Sequence, residues 1–461
     1  MIVKNIKLTS FRNIDEETIE FSPTVNVIYG RNAQGKTNVI ESIYLFARGK
    51  SFRALNDKEM IMFDKGVAYA LMEYEKRGDV TKIGAEIAKR SSKSFYKNGN
   101  KVQRTSEIIG EFRAVLFCPS HLGIISDSPS VRRNFLDVAI SQLKPVYIKL
   151  MARYNNVMSS RNAILKMEPT EREQYRDTLD FYSSELASLC ADIADARCEY
   201  VKKLDRWVKE FFSQMTNGAE VPSITYETNA QGIDFDTRES LKNRYATLLS
   251  ENLEREYKYG ATLFGIHKDD LKIEINGKDS RLYASQGQQR SLALAMKMAE
   301  GEISREHTGE YPVFLLDDVL SELDPTRRAY VLSNINNRQV IITSCEPQHF
   351  EASDTNFIYL SEGKVKEECG IRNGRRGRAL MYVNLGNNKS VRRCDIVAIF
   401  DLDSSTVSVH TRNFLSRAQA HARVIALGME LPKSFVVMRD ETVYLSPFNS
   451  ATIGSHVDYM K

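Results

Sequence analysis

The eight residues Gly30-Arg-Asn-Ala-Gln-Gly-Lys-Thr37 constrain this chain more than any other stretch. They fit the pattern GxxxxGK[ST] without a gap, between an apolar run ending at Gly30 (VNVIYG) and a helical pattern starting at Val39 (VIESIYLFA). A strand, a glycine-bearing turn and a helix make up the setting in which this pattern cradles phosphate. The turn lets consecutive N–H groups point inward, and the helix N-terminus adds partial positive charge. Gly30, Arg31, Asn32, Ala33, Gln34, Gly35, Lys36, Thr37 and Asn38 are therefore the expected nucleotide-binding residues. Lys36 would reach the β/γ-phosphates and Thr37 would ligate Mg²⁺. The implied fold class is α/β.

A P-loop needs an acid, and YPVFLLDDVLSELDP (Tyr311 to Pro325) supplies two after a continuous apolar run that reads as a strand buried on both faces. Asp317 is placed to hold Mg²⁺ through its water shell, and Asp318 to orient or deprotonate an attacking water. The two motifs together predict a Mg²⁺-dependent nucleoside triphosphatase. About twenty-five residues before the acidic strand, Ser285-Gln286-Gly287-Gln288 opens an Ala/Met/Leu helix pattern. This loop resembles the Ser-Gly-Gly-Gln signature of ABC-class ATPases, which caps the γ-phosphate held by a second copy. That resemblance implies that Ser285 and the Gly287 amide bind nucleotide in trans, with the helix dipole behind them. Ser321-Glu-Leu-Asp324 follows as a D-loop would, with Asp324 reaching across the dimer. QVIITSC reads as the next buried strand, with Thr343 and Ser344 where transporters carry a switch histidine.

Composition narrows the class. At 461 residues with 42% hydrophobic and 27% charged, the chain is long enough for two or three globular domains. MIVKNIKLTSFRNIDEE shows no leader-like apolar region, and no segment approaches the roughly 18 apolar residues of a membrane span. A cytoplasmic protein with no membrane association is expected. The six cysteines have no CxxC spacing and read as free thiols. The net charge of +4 is uneven: from residue 371 onward 13 basic residues face 7 acidic ones, against 51 and 53 before it. A basic tail favours a polyanion such as nucleic acid.

The motifs and their order resemble the RecF family of SMC-related ATPases. The residues that carry the likeness are LTSFRNIDEETIEFSP, GRNAQGKTNVIESIYLFARGKSFR, VLFCPSHLGIISDSPSVRRNFLD, YGATLFGIHKDDL, SQGQQR and LLDDVLSELD, covering residues 1 to about 365. The resemblance implies an ABC-type P-loop ATPase head (lobe I, residues 1–125 and 255–368) with a helical lobe II (126–254). It also implies ATP as cofactor with Mg²⁺, an ATP-dependent homodimer on double-stranded and gapped DNA, slow DNA-stimulated hydrolysis, and mediator proteins of RecR and RecO type as partners in recombinase loading. Asp318, Lys36 and Ser285 would be its catalytic residues. The chain departs from the family at Gly265-Ile-His-Lys-Asp-Asp-Leu271, where "GPHRDDL" is usual, and offers no Gln near Pro119-Ser-His-Leu122, leaving His121 as the candidate there. Arg12 and Arg53 are further candidates to touch nucleotide or DNA.

Between Glu171 and Met215, Leu179, Tyr182, Leu186, Leu189, Ile193 and Tyr200 recur at helical steps, which predicts one long amphipathic helix, too short for an SMC-length coiled coil. Arg132, Arg133, Lys202 and Lys203 are basic enough to face DNA phosphates. Residues 369–378 read as a basic Gly/Arg linker. From 379 to 461 a small, mainly β (α+β) domain is expected, with strands either side of Gly386-Asn-Asn388 and again at SFVVM and TVYLSPFNS. MYVNLG, VRRCDIVAIFDLD, FLSRA and LPKSFVV resemble RemB and RemA, which implies DNA binding or oligomerisation and makes Lys389, Arg392, Arg393, Arg412 and Arg417 the residues to test. The arrangement suggests two neighbouring genes read as one chain. Two rival readings remain: a C-terminal Toprim-like nuclease built on Glu362-Gly363 and Asp401-Leu-Asp403, and a DNA-binding scaffold whose ATP only switches dimerisation.

Overall fold

The computed structural model describes the chain except residues 229, 231–236, 335–337, 346–354, 367–381, 387–388, 393–394, 407, 422, 428–430 and 454–461. The expected linker at 369–378 lies outside the described residues. The described residues divide into two units, the first reaching Val365 and the second starting at Lys366.

In the first unit, strands Ile14–Glu20, Ile2–Phe11, Val67–Lys76, Asp79–Ala88, Ser94–Lys97 and Asn100–Lys101 lie side by side in that order as an antiparallel sheet. Its strands alternate: Ala68, Ala70, Met72 and Tyr74 point into the core while Tyr69 and Leu71 stay exposed, which fixes the register, since a slip of one residue would exchange the faces. A second sheet runs Lys364–Val365, Thr355–Ser361, Val25–Tyr29, Val340–Ser344, Val313–Asp317, Ala114–Phe117, parallel throughout except for the first hairpin. Its middle strands are apolar without alternation because both faces are covered. Helix Lys36–Arg48 belongs to both sheets: Val39, Ile40, Ile43 and Phe46 share one core with Ile6, Leu8 and Met72 of the antiparallel sheet and with Leu315 and Ile341 of the parallel one. The parallel strands therefore end together at the N-terminus of that helix, the place where open α/β sheets bind ligands.

Helices Pro129–Leu143, Pro145–Leu165, Arg176–Thr216 and Arg238–Glu251 form a helical region. The expected long helix exists, with 41 residues and a length of about 60 Å. It starts at Arg176 rather than Glu171, because Glu171 belongs to a separate short helix, Pro169–Gln174, and the chain bends at Tyr175 (φ −106°, ψ 16°). Arg172 stacks 4.4 Å from the Tyr257 ring centroid and holds the short helix in its own direction. Strand Pro222–Glu227 pairs antiparallel with Asp270–Ile275, so this small sheet draws on both sides of the boundary expected at 254/255.

Four arginines are absorbed by this packing. Arg161 is fully buried against Glu256 at 2.6 Å, and Arg197 reaches Asp137 at 2.9 Å. Arg132 donates to both oxygens of Asp270 at 2.6 and 2.8 Å, and Arg133 donates to the Asp269 carbonyl at 2.7 Å. For Arg132 the expectation of facing DNA is corrected: helix Pro129–Leu143 lies on the Asp270–Ile275 strand and buries that guanidinium against Asp270, whereas Arg133 is half-buried with one guanidinium nitrogen on Asp269. Of the lysines, Lys202 is exposed and Lys203 pairs with Glu199 at 3.4 Å.

In the second unit, Tyr382–Asn384 and Ser390–Arg392 form a hairpin, and a four-stranded sheet runs Ile396–Asp401, Ser434–Met438, Val443–Ser446, Val424–Ala426 with helix Val409–Ala420 beside it. Val424–Ala426 is a strand the sequence did not announce. Arg412 and Arg417 are exposed on the helix, and Lys389 lies 5.3 Å from the Tyr444 ring centroid. The Arg392 side chain and Arg393 lie outside the described residues. Among the described residues no helix is long and apolar enough to cross a membrane.

Candidate nucleotide-binding site

The loop leaving Val25–Tyr29 turns through Gly30 (φ 154°), Ala33 (φ 64°) and Gly35 (φ 106°) before the helix starts at Lys36. Its left-handed residues turn successive N–H groups toward one concavity. Neighbours hold it from outside. Asn13 donates to the Ala33 carbonyl at 3.3 Å and accepts from Asn38 at 2.7 Å, and the Gly363 N–H donates to the Gln34 carbonyl at 3.1 Å. Lys36 folds back: its Nζ donates to the carbonyls of Gly30 at 2.7 Å and Arg31 at 2.9 Å. The Cys345 thiol, 3.4 Å from Lys36 Nζ, donates to Asn32 at 2.9 Å.

The acidic strand ends beside this loop. Thr37 Oγ1 and Thr343 Oγ1 both donate to Asp317 Oδ1, each at 2.8 Å. Burial pushes the Asp317 carboxyl above its usual pKa, while the two hydroxyls and the charge of Arg53 pull the other way. A hydroxyl and a carboxylate converging next to a lysine are hard oxygen donors, the chemistry that Mg²⁺ with a polyphosphate requires, so these residues fit MgATP. Asp318 takes a left-handed backbone (φ 52°), fixed by its N–H donating to Thr343 Oγ1 at 2.9 Å and by Ser321 Oγ donating to its carbonyl at 2.7 Å. Strain of this kind in a non-glycine residue concentrates at functional sites. Thr343 is thus the buried residue that touches both acids.

Ser285 caps helix Gln286–Thr308: its Oγ accepts from the Gln288 N–H at 3.2 Å, and Gln288 Oε1 accepts from the Ser285 N–H at 2.7 Å. Ser285 and Gln286 are exposed, whereas Gln288 is half-buried and also donates to Glu220 at 2.5 Å. Asp324 accepts from the Arg327 N–H at 2.9 Å at the start of helix Pro325–Asn334.

Several participants escaped the sequence reading. Asn13 and Cys345 carry no motif, and Arg327, discussed below, follows the D-loop without a signature. Arg12 and Arg53 do gather at the P-loop helix. Arg12 donates to the fully buried Glu41 at 2.9 and 2.7 Å, and Arg53 donates to Asn38 at 3.1 Å. His121 sits on the turn Pro119–Leu122, where burial and the nearby charges of Lys297 and Arg48 hold its pKa well below the ordinary value.

The residues behind the nuclease reading have other duties. Glu362 and Gly363 form the turn between Thr355–Ser361 and Lys364–Val365, against the P-loop, and Asp401 caps helix Leu402–Ser405 by accepting from the Ser404 N–H at 3.0 Å. The Asp403 side chain lies outside the described residues.

Residues 2–367 match the family model of the RecF/RecN/SMC N-terminal domain, and residues 382–457 match that of extracellular matrix regulatory protein A-like (RemA-like) proteins. The DNA replication and repair protein RecF of Acetivibrio thermocellus is 38% identical over 368 residues, which is 79% of this chain and 100% of that protein. RecF of Clostridium perfringens is 38% identical over 343 residues, 74% of this chain and 92% of that protein. A solved structure of the recombination mediator protein RecF with ATP in the RecFOR pathway superimposes with a TM-score of 0.72 at 35% identity, covering 79% of this chain and 97% of that one.

Proposed function

This chain belongs to the RecF family, and from that premise we propose that it is an ATP-switched DNA repair protein: two copies close over two ATP molecules on double-stranded DNA at gaps, and slow hydrolysis releases them. The observation that carries the reading is the meeting of Thr37 with Asp317, 280 residues apart in sequence, beside Lys36. A RecF solved with ATP supports the choice of nucleotide.

In this reading the Lys36 ammonium exchanges the Gly30 and Arg31 carbonyls for β/γ-phosphate oxygens, and the N–H groups from Arg31 to Thr37 line the phosphate chain. Thr37 and Asp317 are the residues that would hold Mg²⁺, which when bound would offset the negative charge of those phosphates. Asp318, held in its strained backbone by Thr343, orients and deprotonates the attacking water. Ser285 and the Gly287 amide, with Gln286 exposed beside them and Gln288 fixing the cap, meet the γ-phosphate bound by the second copy, and the dipole of a 23-residue helix favours that negative charge. Asp324 faces the same junction. Double-stranded and gapped DNA stimulates turnover, and mediator proteins of RecR and RecO type are the protein partners. Lys389, Arg412 and Arg417 give the RemA-like unit a second contact with DNA.

The test is fluorescence anisotropy on a gapped duplex with and without MgATP, for wild type and Asp318→Asn. The reading expects ATP to create the DNA affinity and Asp318→Asn to hold DNA longer, because hydrolysis is the release step. DNA affinity indifferent to ATP overturns it. Equal release by the two proteins leaves ATP as a switch of dimerisation alone, the scaffold reading.

A further inference from the structure

We infer that Arg327 is a positioning residue that locks the Ser285–Gln288 loop and the Asp324 loop into one surface, so that both are presented to a second copy's nucleotide together. The inference rests on the ATP-sandwich reading above and names the device that makes the trans half of the site.

Arg327 stands in the first turn of helix Pro325–Asn334. Its Nε donates to Ser291 Oγ at 2.6 Å, 36 residues back in the sequence. Ser291 is almost fully buried, and its hydroxyl in turn donates a hydrogen bond to the Gly287 carbonyl at 3.1 Å. A directed chain of hydrogen bonds therefore runs from the guanidinium through Ser291 to the peptide group of Gly287, in the first turn of the helix that Ser285 caps. At the other end the Arg327 N–H donates to Asp324 Oδ1 at 2.9 Å, and its guanidinium pairs with Oδ2 of the same carboxylate. Its NH2 lies 3.3 Å from where a Cβ on Gly287 would stand, so the guanidinium also covers that residue.

This geometry needs a planar fork. Nε, NH1 and NH2 each have a different neighbour, in Ser291, Asp324 and Gly287, and a lysine ammonium cannot meet all three from one point. The ion pair to Asp324 joins residues three apart and is partly exposed, an arrangement that contributes little to folding. The bond to Ser291 is different in kind, because it ties two elements that the sequence separates. With it in place, a displacement of either loop is transmitted to the other.

The experiment measures ATP-driven association by sedimentation for wild type, Arg327→Ala, Arg327→Lys, Ser291→Ala and the Arg327→Ala/Ser291→Ala pair. A fluorescent ATP analogue reports nucleotide affinity at protein concentrations below association. The inference expects near wild-type nucleotide affinity in every variant. It expects the dimer dissociation constant in ATP to rise about tenfold for Arg327→Ala and for Ser291→Ala, with the double variant no worse than Arg327→Ala alone. Arg327→Lys does not restore association. Wild-type association by Arg327→Ala, rescue by lysine, or single effects that multiply in the double variant each overturn the inference while leaving the sandwich intact. A wild type that ignores ATP overturns the sandwich reading, and the inference with it.

Discussion

The hydroxyl of Thr37 donates to the carboxylate of Asp317 at 2.8 Å, joining the P-loop helix to a strand 280 residues later. Thr343 donates to the same oxygen from the neighbouring strand, so one buried carboxylate organises three segments. Asparagine at 317 would keep an oxygen that accepts from both threonines while removing the buried charge. Because burial raises the Asp317 pKa, the folded state keeps this proton to a higher pH than the unfolded chain does. The contribution of this group to stability is therefore greatest at low pH and declines as pH rises through its folded pKa. Asp317→Asn should melt at or above the wild-type temperature at neutral pH, while Mg²⁺-dependent hydrolysis falls about 100-fold or more. Calorimetry and steady-state hydrolysis check both halves; a lower melting temperature with hydrolysis retained contradicts the assignment.

His267 gives a pH signature. Its Nδ1 lies 2.6 Å from the Tyr154 hydroxyl and its Nε2 3.2 Å from the Thr262 carbonyl, and burial lowers its pKa to about 4. The unfolded chain takes up this proton near the ordinary histidine range and the folded chain only near 4. Stability from this group is thus complete above the unfolded pKa and is lost as pH falls toward 4. The slope is at most about 1.4 kcal/mol per pH unit, less for the partial exposure of the ring. Urea melts at a series of pH values should show a shallower loss for His267→Asn than for wild type between these limits.

Gly301 stands inside the helix that follows the signature loop, although glycine there costs about 1 kcal/mol relative to alanine. A Cβ there would stand 2.2 Å from Phe314 Cζ, on the strand that leads to Asp317. Gly301→Ala should destabilise the protein by about 1–3 kcal/mol despite its better helix propensity, and Phe314→Leu should recover part of the loss. Stabilisation by Gly301→Ala in denaturant melts would mean that helix and strand are not in this contact.

Arg161 and Glu256 are both fully buried, with Thr262 and Ser183 completing the guanidinium's partners and the Leu263 N–H completing the carboxylate's. Arg161→Met should cost about 3–5 kcal/mol because it strands a buried charge, and the Arg161→Met/Glu256→Leu pair should cost less than the sum of its parts. A double-mutant cycle by urea denaturation checks this.

The part of the site legible in the sequence was the part written locally. Gly30 to Thr37 is a contiguous motif, Val313 to Asp317 a contiguous apolar run ending in acids, and Leu186, Leu189 and Ile193 recur at helical spacing in a helix that exists. What escaped depends on meetings between distant segments. Nothing near Arg132 distinguishes a guanidinium that faces phosphate from one that pairs with Asp270, 138 residues on, and nothing near Arg327 points to Ser291. The bend at Tyr175 has no glycine or proline at the break, so the helical pattern runs through it. Val424–Ala426 is three residues long, too few for alternation to register, and becomes a strand because Val443–Ser446 pairs with it.

ATP-driven association is the claim on which the rest depends, and sedimentation of wild type and Ser285→Arg, each with and without MgATP, tests it most directly. The account predicts that ATP raises the associated fraction of wild type and leaves Ser285→Arg unchanged, although both proteins bind nucleotide. Association of wild type that ignores ATP, or of Ser285→Arg that follows ATP as wild type does, would contradict it.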